Sequence, residues 1–242
     1  MARDLAVASG ERLLKLRASG STADDLRRAG DLGSQEFLAA ELARARPHDA
    51  VLSEEAVDDR ARLTADRVWI IDPLDGTREF GEVGRVDWAV HVALWERGEL
   101  TAGAVALPAQ DAVLSTAAPP APPAAAPGAA LRLVVSRSRP PEFVQRLAAK
   151  LGAELVPLGS AGAKAASVIT GEVDAYVHSG GQYEWDSAAP VAVARAAGLH
   201  TSRIDGSNLR YNSEQPWMPD ILICPVPLAG RLLDAISAVQ QH

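Results

Sequence analysis

The stretch Trp69-Ile70-Ile71-Asp72-Pro73-Leu74-Asp75-Gly76-Thr77 constrains this chain more than any other. Val68 to Ile71 are apolar and rich in β-branched side chains, as a buried strand requires. Two carboxylates follow, Asp72 and Asp75, with Pro73 restricting the backbone and Gly76 permitting a sharp turn. Aspartates at the mouth of a buried strand repel each other unless positive charge lies between them. A hard divalent cation meets that need, because such ions take carboxylate, carbonyl and water oxygens. The same Asp-Pro-Leu-Asp-Gly also suits an ordinary turn that satisfies its own backbone, and the segment alone does not choose between the two.

The rest of the chain supplies the context. Its 242 residues suffice for one large domain or two modest ones. With 48% hydrophobic and 23% charged residues it reads as a globular protein. A net charge of −7 argues against a broad basic surface for a nucleic-acid polymer, though not against a small anionic ligand in a local pocket. The single cysteine, Cys224, lies in the apolar run Ile221 to Cys224, which suits a buried structural thiol and a reducing compartment. The N-terminal stretch has no signal-like apolar core, and no apolar run is long enough to span a bilayer. A cytoplasmic protein without a membrane partner is therefore expected.

Two lobes are expected, residues 1–116 and 131–242, joined by an Ala/Pro-rich segment at 117–130 that reads as an exposed loop. In the first lobe, residues 4–18 predict an amphipathic helix, Gly20 to Gly33 a polar loop, and Ser34 to Arg46 a second helix capped by Asp31 or Ser34. Val51-Leu52 predicts a short strand running into Ser53-Glu54-Glu55, so that Glu54, like Asp72, is an acid at a strand end. Trp88 to Trp95 and Leu100 to Leu107 predict a hairpin, with Ala112 to Ser115 a further strand. The second lobe alternates strands, at 131–136, 154–158 and 173–178, with helices at 141–151, 161–170 and 186–197. Two short strands and a last helix through Leu228, Leu232, Ile236 and Val239 follow. The class is α/β, with an α+β first lobe and an α/β second lobe.

Trp185-Asp186-Ser187-Ala188-Ala189 is the second informative stretch. Asp186 reads either as a helix N-cap or as a carboxylate joining Glu54, Asp72 and Asp75 around a metal, and the two are compatible. That set contains no His or Cys, which disfavours zinc and favours Mg²⁺ or Mn²⁺. Two such ions roughly 3.5–4 Å apart suit phosphoryl chemistry. If a helix starts near Thr77, the backbone N–H groups of Gly76 and Thr77 can receive a phosphate.

Asp72-Pro73-Leu74-Asp75-Gly76-Thr77, preceded by Ser53-Glu54-Glu55 and followed by Trp185-Asp186-Ser187-Ala188-Ala189, resembles the inositol monophosphatase superfamily of Mg²⁺-dependent, lithium-sensitive phosphatases. The motifs occur in the family's order across nearly the whole chain. The resemblance implies a layered αβαβα sandwich, commonly dimeric, so a homodimer is one expectation. It implies Glu54, Asp72, Asp75 and Asp186 as side-chain metal ligands for two or three ions, with Leu74 giving its backbone carbonyl. Glu55 is the second acid of its pair, whereas the family places the ligand at the first. Thr77 would hydrogen-bond the nucleophilic water, with Asp31 as its partner, helping to deprotonate that water or holding a third metal.

Within the superfamily three features resemble the CysQ-type 3′(2′),5′-bisphosphate nucleotidases. These are Val134-Val135-Ser136-Arg137-Ser138, Gly159-Ser160-Ala161-Gly162-Ala163-Lys164, and Asp75-Gly76-Thr77-Arg78-Glu79-Phe80. The resemblance implies substrate contacts from Asp75, Gly76, Thr77, Ser136, Arg137, Gly159, Ser160, Lys164 and Asp186. Lys164 and Arg137 also read as ordinary solvated cations. His178 stands where inositol phosphatases usually carry a substrate-contacting glutamate. The implied function is Mg²⁺-dependent hydrolysis of 3′-phosphoadenosine 5′-phosphate, with 3′-phosphoadenosine 5′-phosphosulfate as a second substrate. Attack by metal-activated water would release AMP, or adenosine 5′-phosphosulfate, in sulfur assimilation. The alternatives are an inositol-1-phosphatase or fructose-1,6-bisphosphatase of the same fold, and a catalytically silent nucleotide- or metal-binding protein.

Overall fold

A computed structural model describes residues 1–20, 22–122 and 130–240. Residues 123–129 of the expected Ala/Pro-rich loop lie outside the described residues. The chain order is α1 (Ala2–Arg17), α2 (Ala23–Ala45), β1 (Ala50–Ser53), β2 (Arg67–Asp75), α3 (Thr77–Gly81), β3 (Ala89–Glu96), β4 (Glu99–Leu107) and β5 (Ala112–Ser115). The second half runs β6 (Arg132–Ser136), α4 (Glu142–Leu151), β7 (Glu154–Leu158), α5 (Ala161–Ile169), β8 (Ala175–Tyr183), α6 (Glu184–Ala196), β9 (Leu199–Ser202), β10 (Trp217–Pro225) and α7 (Val226–Gln240).

Among the described residues two five-stranded sheets form, ordered β1-β2-β3-β4-β5 and β7-β6-β8-β10-β9. The first is antiparallel apart from the β1–β2 pair, and the second is parallel from β7 through β8 and antiparallel beyond. Three apolar clusters show how they stack. One joins α1 and α2 to one face of the first sheet, through Leu5, Leu13, Leu38 and Leu42 against Trp69, Ile71, Val90 and Val92. The largest sets α5 and α6 between the sheets, joining Ile70, Ala93 and Val105 to Val134, Tyr176 and Ile223. The third covers the far face of the second sheet with α4 and α7. The order is helix, sheet, helix, sheet, helix, the layered sandwich expected.

One expected element is corrected. Gly20 to Gly33 is not a loop, because α2 begins at Ala23 and carries Asp31 in its interior, so neither Asp31 nor Ser34 is its cap. Thr22 takes that role, its Oγ accepting the Asp25 N–H, and Asp24–Arg27 and Asp25–Arg28 pairs bind successive turns. Gly30 marks a close approach: a methyl there would lie 2.8 Å from Leu74 and 2.9 Å from Phe80. That contact, with Ser34 Oγ donating to the Pro73 carbonyl at 2.6 Å, lays α2 along the end of β2.

Arg62 is fully buried and joins the halves of the chain. It donates to Asp58 at 2.6 and 3.0 Å, to Asn212 Oδ1 at 2.7 Å and to the Ser213 carbonyl at 2.9 Å. Asn212 and Ser213 in turn donate their backbone N–H groups to Glu184, the first residue of α6. Truncating Arg62 to alanine strands these acceptors and is expected to cost about 3 kcal/mol, read as a lower urea midpoint at unchanged slope.

Candidate active site

The site grows from an irregularity in β2. Asp72 pairs with His91 and Asp75 with Ala89, so three steps along β2 match two along β3. In a regular strand, residues three apart face opposite sides. The extra residue is a bulge, and it returns both carboxylates to one side. Pro73 suits the bulge because it has no N–H to leave unpaired. Gly76 then turns the chain with φ of 86°, and α3 starts at Thr77. With only five residues, α3 offers a phosphate the local N–H groups rather than a sizeable dipole.

The third carboxylate arrives from α6. Asp186 is not the N-cap; Tyr183 holds that position. As the third residue of the helix, Asp186 reaches back to accept the Tyr183 N–H at 2.6 Å. That bond fixes its direction, as a cap would have done. Carboxylate oxygens of Asp72, Asp75 and Asp186 lie within 4.8 Å of one another. Glu54, just past β1, is not one of these three, but it presses on all of them electrostatically.

The electrostatics are those of a cage for positive charge. Asp72, 1% exposed, is raised well above the usual carboxylate range by burial and then by Asp75, Glu54 and Asp186. Among the described residues its Oδ2 is buried without a hydrogen-bond partner. Glu54, whose residue is exposed but whose carboxyl is hemmed in, is pushed up to about 7 by desolvation and then Asp186. Asp186 is pushed up to about 6 by burial and then Asp75. Asp75 goes the other way: burial opposes its charge, but His91, Lys164 and Ser160 outweigh it and hold the carboxyl well below its usual range. Asp75 accepts from Ser160 Oγ at 2.5 Å and from the N–H groups of Ala161 and Gly162 at 3.1 and 2.5 Å. A buried, partnerless carboxylate oxygen among like charges fits a hard cation and little else.

Asp31 and Thr77 also meet. Thr77 Oγ lies 3.1 Å from Asp31 Oδ1 and 3.1 Å from the Leu74 carbonyl. Asp31 is pushed up to about 6, chiefly by burial, with Glu55 adding to it and the Thr77 bond opposing. Glu55 is exposed, and its N–H is turned back on Ser53 Oγ.

The remaining candidates divide. Lys164 is no solvated helix residue; it is buried, and its Nζ donates to the carbonyls of Gly159 and Ser160 at 3.1 and 2.6 Å. Desolvation lowers its pKa against the pull of Asp75 and Asp186. Ser160 caps α5, accepting the Ala163 N–H. Arg137 is not gathered with the carboxylates, since it pairs with Glu79 at 2.7 Å and Glu82 at 2.8 Å. Ser136 Oγ accepts the Arg139 N–H. His178 sits against the Gly181 carbonyl at 3.0 Å, its pKa lowered by burial. Cys224 is buried in β10, its thiol pushed up to about 12, and is inert at neutral pH.

Sequence reasoning missed His91. It is 0% exposed in the middle of β3, with Nε2 3.2 Å from Asp75 Oδ2 and Nδ1 3.0 Å from the Trp185 carbonyl. Burial depresses its pKa, but Asp75 and the Trp185 carbonyl more than reverse this, leaving it raised. The available signal was a lone histidine in the apolar run Ala89 to Leu94.

The sequence profile of the inositol monophosphatase family matches residues 3–220. A protein of Mycobacterium leprae named 3′-phosphoadenosine 5′-phosphate phosphatase is 50% identical over 260 residues, covering 100% of this chain and 94% of that protein. One of the same name from Mycobacterium bovis is 53% identical, covering 95% and 89%. The 3′(2′),5′-bisphosphate nucleotidase CysQ of Escherichia coli is 30% identical, covering 78% and 81%. Among solved structures, CysQ from Bacteroides thetaiotaomicron superposes with a TM-score of 0.79 at 27% identity, covering 93% and 95%. Inositol monophosphatase II of Staphylococcus aureus shares the fold, with a TM-score of 0.82 at 20% identity, covering 100% and 97%. Among the described residues, no helix is long and apolar enough to cross a membrane.

Proposed function

This chain belongs to the inositol monophosphatase family, and from that premise we propose that it hydrolyses the 3′-phosphate of 3′-phosphoadenosine 5′-phosphate to give AMP and inorganic phosphate. The sulfated analogue, 3′-phosphoadenosine 5′-phosphosulfate, is a second substrate in this reading, and the setting is sulfur assimilation. The observation that carries the chemistry is the three-carboxylate cluster with its partnerless Asp72 oxygen. Full-length similarity to proteins named for this activity carries the substrate.

Glu54, Asp72, Asp75, Asp186 and the Leu74 carbonyl would hold two or three divalent cations, Mg²⁺ in this reading. When bound, these ions supply charge that balances the phosphoryl oxygens and acidify water nearby. The chain's own part is orientation and proton transfer. Thr77 Oγ, already bonded toward Asp31, takes the proton of the attacking water as its own passes to Asp31 Oδ1. A carboxyl poised at about 6 suits a base working near neutrality. The water oxygen bonds to phosphorus, the bond to the 3′-oxygen breaks, and that oxygen leaves with the electron pair and is protonated from solvent.

At the second phosphate, Lys164 gives two of its three N–H donors to Gly159 and Ser160 and lies 5.5 Å from the Tyr176 ring centroid; in this reading the third donor turns to the substrate. Arg137 gives its Nε and Nη2 donors to Glu79 and Glu82, and its Nη1 is the group that would reach the substrate.

The test is phosphate release with Mg²⁺ from 3′-phosphoadenosine 5′-phosphate, its sulfated analogue, inositol 1-phosphate and fructose 1,6-bisphosphate, for the natural chain and Lys164→Met. The bisphosphorylated nucleotide is expected to have the highest kcat/KM. Methionine at 164 should lower that value by about 10- to 100-fold, the loss of one charged hydrogen bond, with less change on monophosphates. Preferential turnover of inositol 1-phosphate would replace the substrate assignment, and no release from any ester would leave a silent binding protein.

A further inference from the structure

We propose that His91 is a positioning residue that locks the Asp75 carboxylate of the first sheet to the turn of α6 that carries Asp186. The proposal rests on the metal-site reading above, though not on the choice of substrate.

The geometry leaves the imidazole little choice. Nδ1 is 3.0 Å from the Trp185 carbonyl, which can only accept, so Nδ1 carries a proton and donates it. Trp185 immediately precedes Asp186, so this bond ties the backbone beside one candidate ligand to β3. Nε2 then faces Asp75 Oδ2 at 3.2 Å, off the line of a well-directed hydrogen bond. Nδ1 also lies 4.0 Å from Asp72 Oδ2, and His91 is the ladder partner of Asp72 across the bulge. One ring therefore stands beside all three carboxylate positions: 3.2 Å from Asp75, 4.0 Å from Asp72, and bonded to the residue before Asp186.

The surroundings hold the ring in place. It is 0% exposed, with no space to swing aside. A methyl at Gly162 would stand 2.0 Å from Nε2 and 3.1 Å from the Ala89 Cβ. Gly162 thus has two tasks, giving its N–H to Asp75 Oδ2 at 2.5 Å and leaving room for the imidazole. The metal-facing carboxylates come from layers far apart in sequence, and His91 is where the β2 ligands and the α6 ligand share one rigid side chain. Groups that bond to metal ligands from behind are typically worth 10- to 100-fold in metal affinity or activity.

The experiment is a calorimetric titration of the full chain with Mn²⁺ alone, with no nucleotide present, alongside kcat, KM and the Mg²⁺ activation constant. Circular dichroism checks the fold of each variant. His91→Ala is expected to weaken Mn²⁺ binding and raise the Mg²⁺ activation constant by about 10- to 100-fold, while KM at saturating metal changes little. In His91→Asn the side-chain amide occupies the place of Nδ1, keeps the Trp185 bond and loses the arm to Asp75, so its affinity should fall between alanine and the natural chain. Gly162→Ala leaves the histidine in the chain but displaces its ring, and should lower metal affinity in the same way. If His91→Ala does not fold, His91→Asn and Gly162→Ala decide. Natural-strength Mn²⁺ binding by a folded His91→Ala, or by both other variants, overturns the proposal. A natural chain that binds no Mn²⁺ overturns the metal-site reading beneath it, whereas a different preferred ester leaves the titration result standing.

Discussion

Asp72→Asn is expected to move stability and activity in opposite directions. The metal-free variant should melt higher, by roughly 2–4 °C for each 1 kcal/mol of relieved repulsion, while Mg²⁺-supported phosphate release falls by several orders of magnitude. Asp72 is buried beside Asp75, Glu54 and Asp186, and each disfavours its charge. An amide keeps the acceptor that receives the Leu74 N–H at 3.1 Å and takes the charge off the partnerless Oδ2 position. It also removes the anionic oxygen that the hydrolytic reading needs. Calorimetric melting in the presence of a chelator, paired with a phosphate-release assay, reads both effects. A variant that melts lower than the natural chain without metal would mean that the cluster is not held under repulsion. Near-natural turnover would remove Asp72 from the ligand set.

The second large effect is on pH. Glu54 at about 7 and Asp31 and Asp186 at about 6 keep their protons to higher pH in the folded chain than in the unfolded one, where carboxyls titrate near about 4. In that interval the folded state binds more protons. These groups therefore make the metal-free fold less stable as pH rises from about 4 to 7. Cations compete with those same protons, so metal binding strengthens as pH rises. At fixed Mg²⁺, the metal-induced rise in Tm should be small near pH 5.5 and grow steadily to about pH 8. Asp75, held well below its usual range, stays ionised throughout and contributes nothing to the slope. A metal-induced shift that is flat across this range would contradict the assignment of Glu54 and Asp186 to the cage.

The sequence was most legible where one segment carries its own signal. The strand at Val68 to Ile71, the hairpin around Arg97-Gly98 and the alternation of the second half are local patterns, set by side-chain periodicity and turn residues. Helix α2 was misread because Gly30 and Gly33 punctuate it. The reason for Gly30 is a packing contact with Leu74 and Phe80, which no local rule contains. Asp186 was expected at the cap of α6 and sits three residues inside, a shift of the boundary that preserves its role in fixing the turn. Arg137 and Lys164 looked alike as isolated cations. Only their surroundings separate a half-buried ion pair with Glu79 and Glu82 from a buried ammonium bonded to two carbonyls.

By itself the sequence determined the α/β order of elements and the presence of four acids, each within three residues of the end or start of an element. Those depend on neighbours a few residues away, and short-range chemistry is written in order along the chain. Tertiary structure decided that an added residue in β2 turns Asp72 and Asp75 to one side, that α2 brings Asp31 to Thr77, and that His91 stands between carboxylates from separate layers. These arrangements depend on distances between residues up to about a hundred positions apart, which arise only when the sheets and helices close on one another and exclude water.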